Sequence, residues 1–295
     1  DQKYLVKLNE WIQDWINSNP PYLGPNWKCG QEASIRIINL CCGALILDQT
    51  SSSLEGLQKL ITLHLVRIAA TLPYAIAQDN NHGTSEAAAL FIGGAWLDAT
   101  GFSGGEEYQN LGRVWLENRV SKLIQKDGSF SQYSLNYHRM VLDTLSIVEI
   151  WRRKLNIDAL SNRCYESASN ATSWLYQMIS PETGDGPNLG ANDGSLLLPL
   201  TDCPYRDFRP SVQLAAALFQ YREAYPSSLF LEVHLSWLGV CYERSEPEVY
   251  RDCNFDSGGY KILRSPDAKV VFRYPNFKFR PSQADAMHID FWVNG

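Results

Sequence analysis

Apolar residues recur at the spacing of an α-helix along most of this chain, from residue 3 to about residue 240. At the start, Leu5, Leu8 and Ile12 fall on one helical face, and Trp15 and Ile16 continue the stripe. Segments rich in Gly, Asn and Pro interrupt the pattern at intervals. The pattern predicts about nine helices, one before residue 20 and the others at residues 31–47, 54–77, 85–98, 108–125, 136–155, 159–179, 210–224 and 228–238.

The periodicity changes after Tyr242, where short apolar or alternating runs replace the helical stripes. Strands are predicted at residues 259–264, 269–274 and 287–293. Antiparallel helix pairs in series are typical of an α/α toroid or an α-solenoid. The predicted fold class is therefore mainly α, an incomplete (α/α) toroid of helical hairpins followed by the start of an antiparallel β-sandwich. We expect a toroid domain at 1–242 and, at 243–295, a sandwich domain that is cut short.

The charges are unevenly distributed along the chain. The whole sequence has 26 basic and 32 acidic side chains and a net charge of -6, which argues against a general nucleic-acid or anionic-membrane surface. Residues 261–295, by contrast, hold six basic and three acidic side chains. This tail is predicted to carry a local positive field where an anionic polymer would be held. No apolar run reaches the roughly 18 residues that a membrane span needs.

The seven cysteines are an odd number with no CxxC pair, which argues against a disulfide framework or a zinc ribbon. Cys41 and Cys42 lie in an apolar helical stretch and are expected to be small core residues. The chain starts at Asp1-Gln2-Lys3, with neither an initiator Met nor the apolar core of a signal peptide. We therefore expect the gene product to begin further upstream.

A polar run, Asp79-Asn-Asn-His-Gly-Thr-Ser-Glu86, directly precedes an Ala-rich helix. On one interpretation it is a helix start in which Gly83 or Thr84 is the cap. On the other, Asn81 and His82 point into a cleft, where an amide and an imidazole beside the positive end of a helix hold a carboxylate. The run by itself leaves both interpretations open.

A second run, at residues 127–138, leads into the helix predicted at 136–155 and ends in Tyr137-His138. A Tyr-His pair at a helix start serves either packing or proton transfer. An unperturbed tyrosine has a pKa of about 10. Tyr137 can therefore act as a base near neutrality only if cations or donors lower its pKa, whereas it needs no such help as an acid.

Two further segments offer polar side chains. The loop at 183–194 lacks the GK[ST] ending of a phosphate loop, and Leu196 stands where a calcium loop would need Glu. It forms either a series of tight turns or a loop that contacts a ligand. In the basic tail, His288 is either a core histidine or a site residue, and Asp285 is a candidate ion-pair partner of Arg280.

Taken in order, these segments resemble the heparinase II/III-like polysaccharide lyases, a family that includes alginate, heparin and heparan lyases. The resembling segments are Asn19 to Trp27 with Glu32 to Arg36, Asn80-Asn-His82, Asp127-Gly-Ser129 with Tyr137-His138, Gly190-Ala-Asn-Asp-Gly194, and Arg280 to Trp292. Each is a weak signal alone, and the order of the five makes the resemblance specific. The family's incomplete α/α toroid and antiparallel β-sandwich agree with the change in periodicity. By this comparison the chain lacks some sequence before residue 1 and most of the sandwich after residue 295.

The resemblance implies a site. In that family an Asn or His of an NNH-type motif neutralises a uronate carboxylate, and the tyrosine of a YH-type motif transfers protons. By motif position, Asn81, His82 and Tyr137 are the predicted catalytic residues. The chemistry is reasonable, because a proton α to a carboxylate becomes removable once the developing enolate charge is stabilised. The predicted substrate-binding residues are Asn80, Glu86, His138, Asn192, Asp193, Arg280 and His288.

One segment departs from the family pattern. Many members carry an HxHAD-like segment, with one histidine catalytic and another binding a structural metal. This chain has Pro281 and Gln283 at the positions of the two histidines. We therefore predict no metal and no cofactor, and a branch with this RPxQAD form is expected to act on a different polymer or by tyrosine alone.

The leading hypothesis is a polysaccharide lyase that cleaves a uronic-acid-containing glycan by β-elimination, with an acidic polysaccharide or oligosaccharide as its partner. One alternative is a glycoside hydrolase on the same toroid, with Glu86 and Asp193 as its carboxylate pair. Another is a catalytically inactive glycan-binding or assembly protein, which the two missing histidines suggest. Neither a nucleic-acid partner nor a membrane span is expected. Lyases of this kind are commonly periplasmic or secreted, which slightly favours that location over the cytoplasm, and the oligomeric state stays open.

Overall fold

A computed structural model describes residues 2–51, 54–226, 229–243 and 248–294. Over these residues a helical region comes first and a small sheet follows. The helices are α1 (Gln2–Ser18), α2 (Gly30–Ile46), α3 (Glu55–Ala77), α4 (Asn81–Ala99), α5 (Gly105–Leu123), α6 (Leu135–Lys154), α7 (Asn162–Met178), α8 (Arg209–Phe219) and α9 (Leu229–Trp237). The strands are β1 (Cys253–Phe255), β2 (Tyr260–Arg264), β3 (Ala268–Arg273) and β4 (His288–Val293).

The predicted helices are all present, and the informative difference is the start of α4. This helix begins at Asn81 rather than at residue 85, because the Asn80 side chain caps it and accepts a hydrogen bond from the backbone N–H of His82 at 3.0 Å. The cap is therefore neither Gly83 nor Thr84. As a result, most of the polar run belongs to the first two turns of α4. The strand β1 was not predicted, because three residues are too short to establish an alternation.

The helices pack in two layers. In the inner layer α4 lies between α2 and α6, and α6 lies between α4 and α8. In the outer layer α3 packs on α2 and α4, and α7 packs on α6 and α8. Nearly every residue of α4 and α6 is buried. This arrangement confirms the predicted fold class, mainly α and an incomplete (α/α) toroid of helical hairpins, followed by an antiparallel sheet of the kind with which a sandwich begins.

The α4–α5 hairpin is packed backbone against backbone. Gly94 of α4 lies against the main chain of Gln109, and Gly112 of α5 lies against the main chain of Phe91. A Cβ atom at either glycine would collide with backbone, so only glycine permits this close approach. The contact fixes α4 between its neighbours, and with it the position of the first turn of α4.

The four strands form one antiparallel sheet in the order β1-β2-β3-β4. Along β3 the side chains of Lys269, Val271 and Arg273 are buried on the side of the helices, and the residues between them are less buried. The Lys269 ammonium donates a hydrogen bond to the carbonyl of Met178 at 2.8 Å, at the end of α7. The sheet is therefore docked on the helical region, and the division into two domains near residue 242 stays a prediction.

Within the described ranges one helix, α3, is long and apolar enough by length and composition to cross a membrane. It packs against α2 and α4, with Leu65 and Ile68 fully buried. The core helix of a folded domain passes the same test, so α3 is only a weak indication of a span. All seven cysteines are free, and Cys41 and Cys42 lie in the core as predicted.

Candidate functional site

The N-terminal ends of α4 and α6 meet and bring two predicted catalytic residues close together. The backbone N–H of Asn81 donates to Gln132 Oε1 at 2.8 Å, in the loop before α6. The Asn81 amide lies 3.3 Å from Met140 Sδ, one helical turn beyond Tyr137. Ser134 caps α6, and its hydroxyl accepts from the N–H of Tyr137 at 3.2 Å. Asn81 and Tyr137 therefore lie at neighbouring positions of the α4–α6 contact.

The Tyr137 hydroxyl is held by a carboxylate. It donates to Asp193 Oδ2 at 2.7 Å, and Asp193 Oδ1 accepts from the N–H and the hydroxyl of Ser195 at 3.1 and 2.5 Å. Partial burial and this hydrogen bond raise the pKa of Tyr137 to about 12. Burial also acts to raise the pKa of Asp193, but the hydrogen bonds from Ser195 and Tyr137 outweigh it and lower that pKa. At neutral pH the pair is a protonated tyrosine and an ionised aspartate.

A second pair lies on the side of α4 that faces α2. His82 Nδ1 is 3.8 Å from Glu86 Oε1, one helical turn further along. Burial raises the pKa of Glu86 to about 8, against the opposing effect of the nearby Arg67 guanidinium. Burial also lowers the pKa of His82. Both side chains are therefore mainly uncharged at neutral pH.

Gln31, at the start of α2, contacts both α4 and α6. Its amide donates to Ser85 Oγ at 3.2 Å and lies 3.9 Å from Met140 Sδ. The first turns of three adjacent inner helices thus bring polar side chains together, and the start of a helix carries a positive partial charge. We call this cluster the helix-end site and define it by Gln31, Asn81, His82, Glu86 and Tyr137.

A cavity of about 800 Å³ lies beside α4 and the loop before α6. Asn80 and Gln132 line one wall, and the tail residues Lys278, Arg280 and Pro281 line the other. The Asn80 oxygen is already occupied as the cap of α4. Lys278 and Arg280 are exposed, so the cavity presents cationic side chains to solvent next to the first turn of α4.

The other predicted cations of the tail serve mainly to hold the sheet. Arg264 and Lys269 donate to the carbonyls of Gln177 and Met178 at the end of α7. Arg273 is fully buried and stacks against the rings of Tyr133, Tyr260 and Phe277. Three of the six basic residues therefore contribute to docking rather than to a positive surface.

No protein-family model matches this chain, and no curated protein sequence does. Among solved structures, heparinase III matches 100% of the chain with a TM-score of 0.66 and 19% sequence identity. The heparan sulfate lyase HepC from Pedobacter heparinus matches 99% of the chain with a TM-score of 0.61 and 16% identity.

This chain has the fold of heparinase III. The match spans 46% of heparinase III and 44% of HepC, so the chain covers less than half of either protein. The predicted resemblance is confirmed at the level of the fold, because the helical hairpins and the strands of this chain are matched together. The roles of individual residues stay predictions.

Three residues that help to position Tyr137 were not predicted from the sequence, namely Asn136, Arg139 and Tyr205. Asn136 donates to Asp193 Oδ1 at 3.2 Å, and its own Oδ1 accepts from Arg139 at 3.0 Å. The hydroxyl of Tyr205 lies 2.7 Å from the side-chain oxygens of both Asn136 and Asn192. The predicted residues Asn192 and Asp193 are thus joined to α6. Asn136 directly precedes Tyr137 and could have been inferred from its place at the helix start, whereas nothing in the sequence around Tyr205 points to the site.

His138 is a correction to the predicted substrate-binding set. It is 1% exposed, its Nε2 lies 2.8 Å from the carbonyl of Ala171, and its ring stacks on Trp174 at 4.3 Å. Burial lowers its pKa to about 4. An imidazole enclosed in this way has no access to a ligand, so His138 is a packing residue of α6.

The remaining predicted tail residues have partners other than the helix-end site. His288 lies at the start of β4 opposite Arg273, with its Nε2 3.5 Å from Asp290 Oδ2. Asp285 accepts from the backbone N–H of Gly190 at 3.0 Å, a different partner from the Arg280 proposed for it. Among the residues that the structure describes, no group of three or more His, Cys, Asp and Glu side chains could hold a metal ion.

Proposed function

We propose that this protein is a polysaccharide lyase that cleaves a uronic-acid-containing glycan by β-elimination. The observation that carries the proposal is the Tyr137 hydroxyl, hydrogen-bonded to Asp193 at the start of α6, the helix whose next turn contacts Asn81 of α4. The shared fold supports it, since the matched structures are a heparinase and a heparan sulfate lyase. Heparin and heparan sulfate are therefore the first substrates to test.

In the proposed complex the uronate carboxylate lies against the helix-end site. The His82 imidazole is a partly exposed, uncharged donor, and the buried Asn81 amide becomes a second one when it turns from Met140 Sδ toward the carboxylate. The starts of α4 and α6 add a positive partial charge. Lys278 and Arg280 attract the anionic chain from across the cavity. Hydrogen bonds to the carboxylate stabilise the charge that develops when the C5 proton is removed.

Tyr137 is suited to the acid step. Its pKa of about 12 keeps the hydroxyl protonated at neutral pH, so it can deliver a proton to the O4 leaving oxygen. The step balances when Tyr137 is also the base: it first loses its hydrogen bond to Asp193, meets cations or donors that lower its pKa, and gives its proton to solvent. The phenolate then takes the C5 proton, the electron pair of the C5–H bond forms the C4=C5 double bond as the C4–O4 bond breaks, and the same proton passes to O4.

The test is the ultraviolet absorbance of the unsaturated product, measured for the whole protein with heparin, heparan sulfate and alginate. We expect Tyr137→Phe to lower kcat by about 1,000-fold, within the range for loss of a general acid. The matched control is Tyr74→Phe, which removes a hydroxyl from an exposed side chain of α3. A Tyr137→Phe variant with the rate of the original protein would contradict the assignment.

A glycoside hydrolase is the second candidate, because the environments of two carboxyl groups separate their pKa values. The pKa of Glu86 is raised and that of Asp193 is lowered, as in an acid and base pair. Against it, Glu86 is 2% exposed and its carboxyl is packed on Gly30, where it cannot reach a glycosidic oxygen. New reducing ends without ultraviolet absorbance would favour the hydrolase, and binding without products would favour an inactive glycan-binding protein.

A further inference from the structure

The carboxyl group of Glu86 occupies a space that exists only because residue 30 is glycine. A Cβ atom on Gly30 would lie 2.6 Å from one oxygen of Glu86 and 2.8 Å from the other. The carboxyl is thus packed directly on the first residue of α2. Any side chain at position 30 would displace it, since the surrounding core leaves Glu86 only 2% exposed.

This buried carboxyl has few polar neighbours. Among the described residues its Oε2 has no hydrogen-bond partner. Its Oε1 is 3.8 Å from His82 Nδ1, a distance that a small rotation of either side chain would shorten to a hydrogen bond. The nearby Arg67 guanidinium donates to the carbonyls of Trp27 and Lys28 and to Thr71 Oγ1. His82 is therefore the polar partner that the geometry offers to Glu86.

A protonated carboxyl and a neutral imidazole complement each other. The carboxyl O–H is a donor, and a neutral imidazole has one nitrogen that accepts and one that donates. If Nδ1 accepts from Glu86, the imidazole proton is on Nε2. The His82 side chain is 27% exposed, so this N–H remains available to a ligand.

We propose that Glu86 is a positioning residue for His82. Its protonated carboxyl donates to Nδ1 and selects the tautomer whose Nε2–H meets the substrate carboxylate, and Gly30 provides the space in which the carboxyl sits. The inference rests on the proposed function for the identity of the ligand. The interaction between Glu86 and His82 itself depends only on the fold.

The arrangement has a defined pH dependence. Among the residues that the structure describes, the charged and titratable groups near Glu86 are His82 on its own helix and Arg67 on α3, and from α2 it meets Gly30. The pKa of the carboxyl is raised to about 8 by burial, so Glu86 ionises above that pH. The ionised form accepts instead of donating, so it favours the proton on Nδ1 of His82 and takes the N–H away from Nε2. We therefore expect kcat/KM to fall as the pH rises through about 8.

Two substitutions of Glu86 by residues of similar size distinguish a positioning role for its carboxyl group from a packing role. Glu86→Gln keeps an N–H donor and does not ionise, so we expect kcat/KM within about threefold of the original protein and no loss of kcat/KM near pH 8. Glu86→Met removes the donor and should lower kcat/KM by about tenfold or more. Gly30→Ala should resemble Glu86→Met, because it displaces the carboxyl. Its matched control is Gly43→Ala, also on α2, where an added Cβ has no atom within 4 Å.

The tautomer of His82 provides a readout that does not require activity. Histidine ¹⁵N spectra of the whole protein, assigned with a His82→Gln variant, should give the Nε2–H tautomer at pH 7 in the original protein and in Glu86→Gln. Glu86→Met should give a mixture. If Glu86→Met keeps both the tautomer and kcat/KM of the original protein, Glu86 only fills space and the inference is overturned.

The two proposals can fail separately. If the original protein gives no unsaturated product on the glycan panel but its His82 tautomer responds to Glu86→Met, the positioning role stands and the lyase proposal falls. If the protein is an active lyase and the decline near pH 8 persists in Glu86→Gln, the lyase proposal stands and the positioning role falls. The second comparison needs only Glu86→Gln, so it decides the question even if Glu86→Met does not fold.

Discussion

The helix-end site and the basic tail both carry predicted site residues, but they are held in different ways. Asn81 and His82 belong to the first turn of α4, a helix that is almost fully buried. Lys278 and Arg280 are exposed on a segment without regular secondary structure. Core packing therefore fixes the groups proposed for chemistry, whereas the cations proposed for attraction lie where they can change without disturbing the core.

The tail is nevertheless anchored at two points. The Tyr133 hydroxyl accepts hydrogen bonds from the backbone N–H groups of Lys278 and Phe279 at 2.8 and 3.0 Å. Asp285 accepts from the N–H of Gly190. Long-range hydrogen bonds thus hold the tail in place, whereas helix packing holds α4 in place. The two regions should therefore respond differently to substitution.

Of the two regions compared, the helix-end site is expected to show the larger effect of substitution on activity. Asn81→Ala should lower kcat by about 100-fold, because it removes a donor that stabilises developing charge, while KM changes little. The measurement is the rate of unsaturated product formation at saturating glycan. The matched control is Asn17→Ala on the exposed α1, which should keep full activity. A loss in KM alone would mean that Asn81 binds the ground state and not the transition state.

An intermediate effect is expected from the cations of the tail. Replacing both Lys278 and Arg280 by Ala should raise KM by about tenfold at low salt and leave kcat nearly unchanged, because exposed charges contribute modestly and are screened. The difference from the original protein should shrink as salt is added. Lys261→Ala removes an exposed cation from β2 and serves as the control. A fall in kcat would show that the tail takes part in the chemical step.

The smallest effect on activity is expected at the anchor between the two regions. Tyr133→Phe leaves two backbone N–H groups without their acceptor, so stability should fall by about 1–3 kcal/mol and kcat/KM by about threefold. Hydrogen exchange at Lys278 and Phe279 should accelerate, which directly reports the released tail. Tyr74→Phe, at an exposed position, is the control. Unchanged exchange at these two amides would mean that other contacts hold the tail.

Much of this architecture could be predicted from the sequence, because helical periodicity repeats over many residues and records which face is buried. The positions of Asn81, His82 and Tyr137 in two polar runs before helices also pointed to helix starts. The predicted role of His138 failed because adjacent residues on a helix face different directions. Tyr137 is directed toward Asp193, whereas His138 packs under Trp174.

By itself, then, the sequence determined the helical hairpins, the change to strands and the polar segments that begin α4 and α6, since each depends on local pattern and capping. Only the tertiary structure decided which of these groups meet. The approach of Glu86 to Gly30 and the hydrogen bond from Tyr137 to Asp193 join residues more than 50 positions apart. The tail shows that composition alone does not reveal burial. Its composition predicted a positive surface, but docking of the sheet on the helices buries Lys269 and Arg273. Contacts between distant segments depend on how whole elements pack, and no local pattern contains that information.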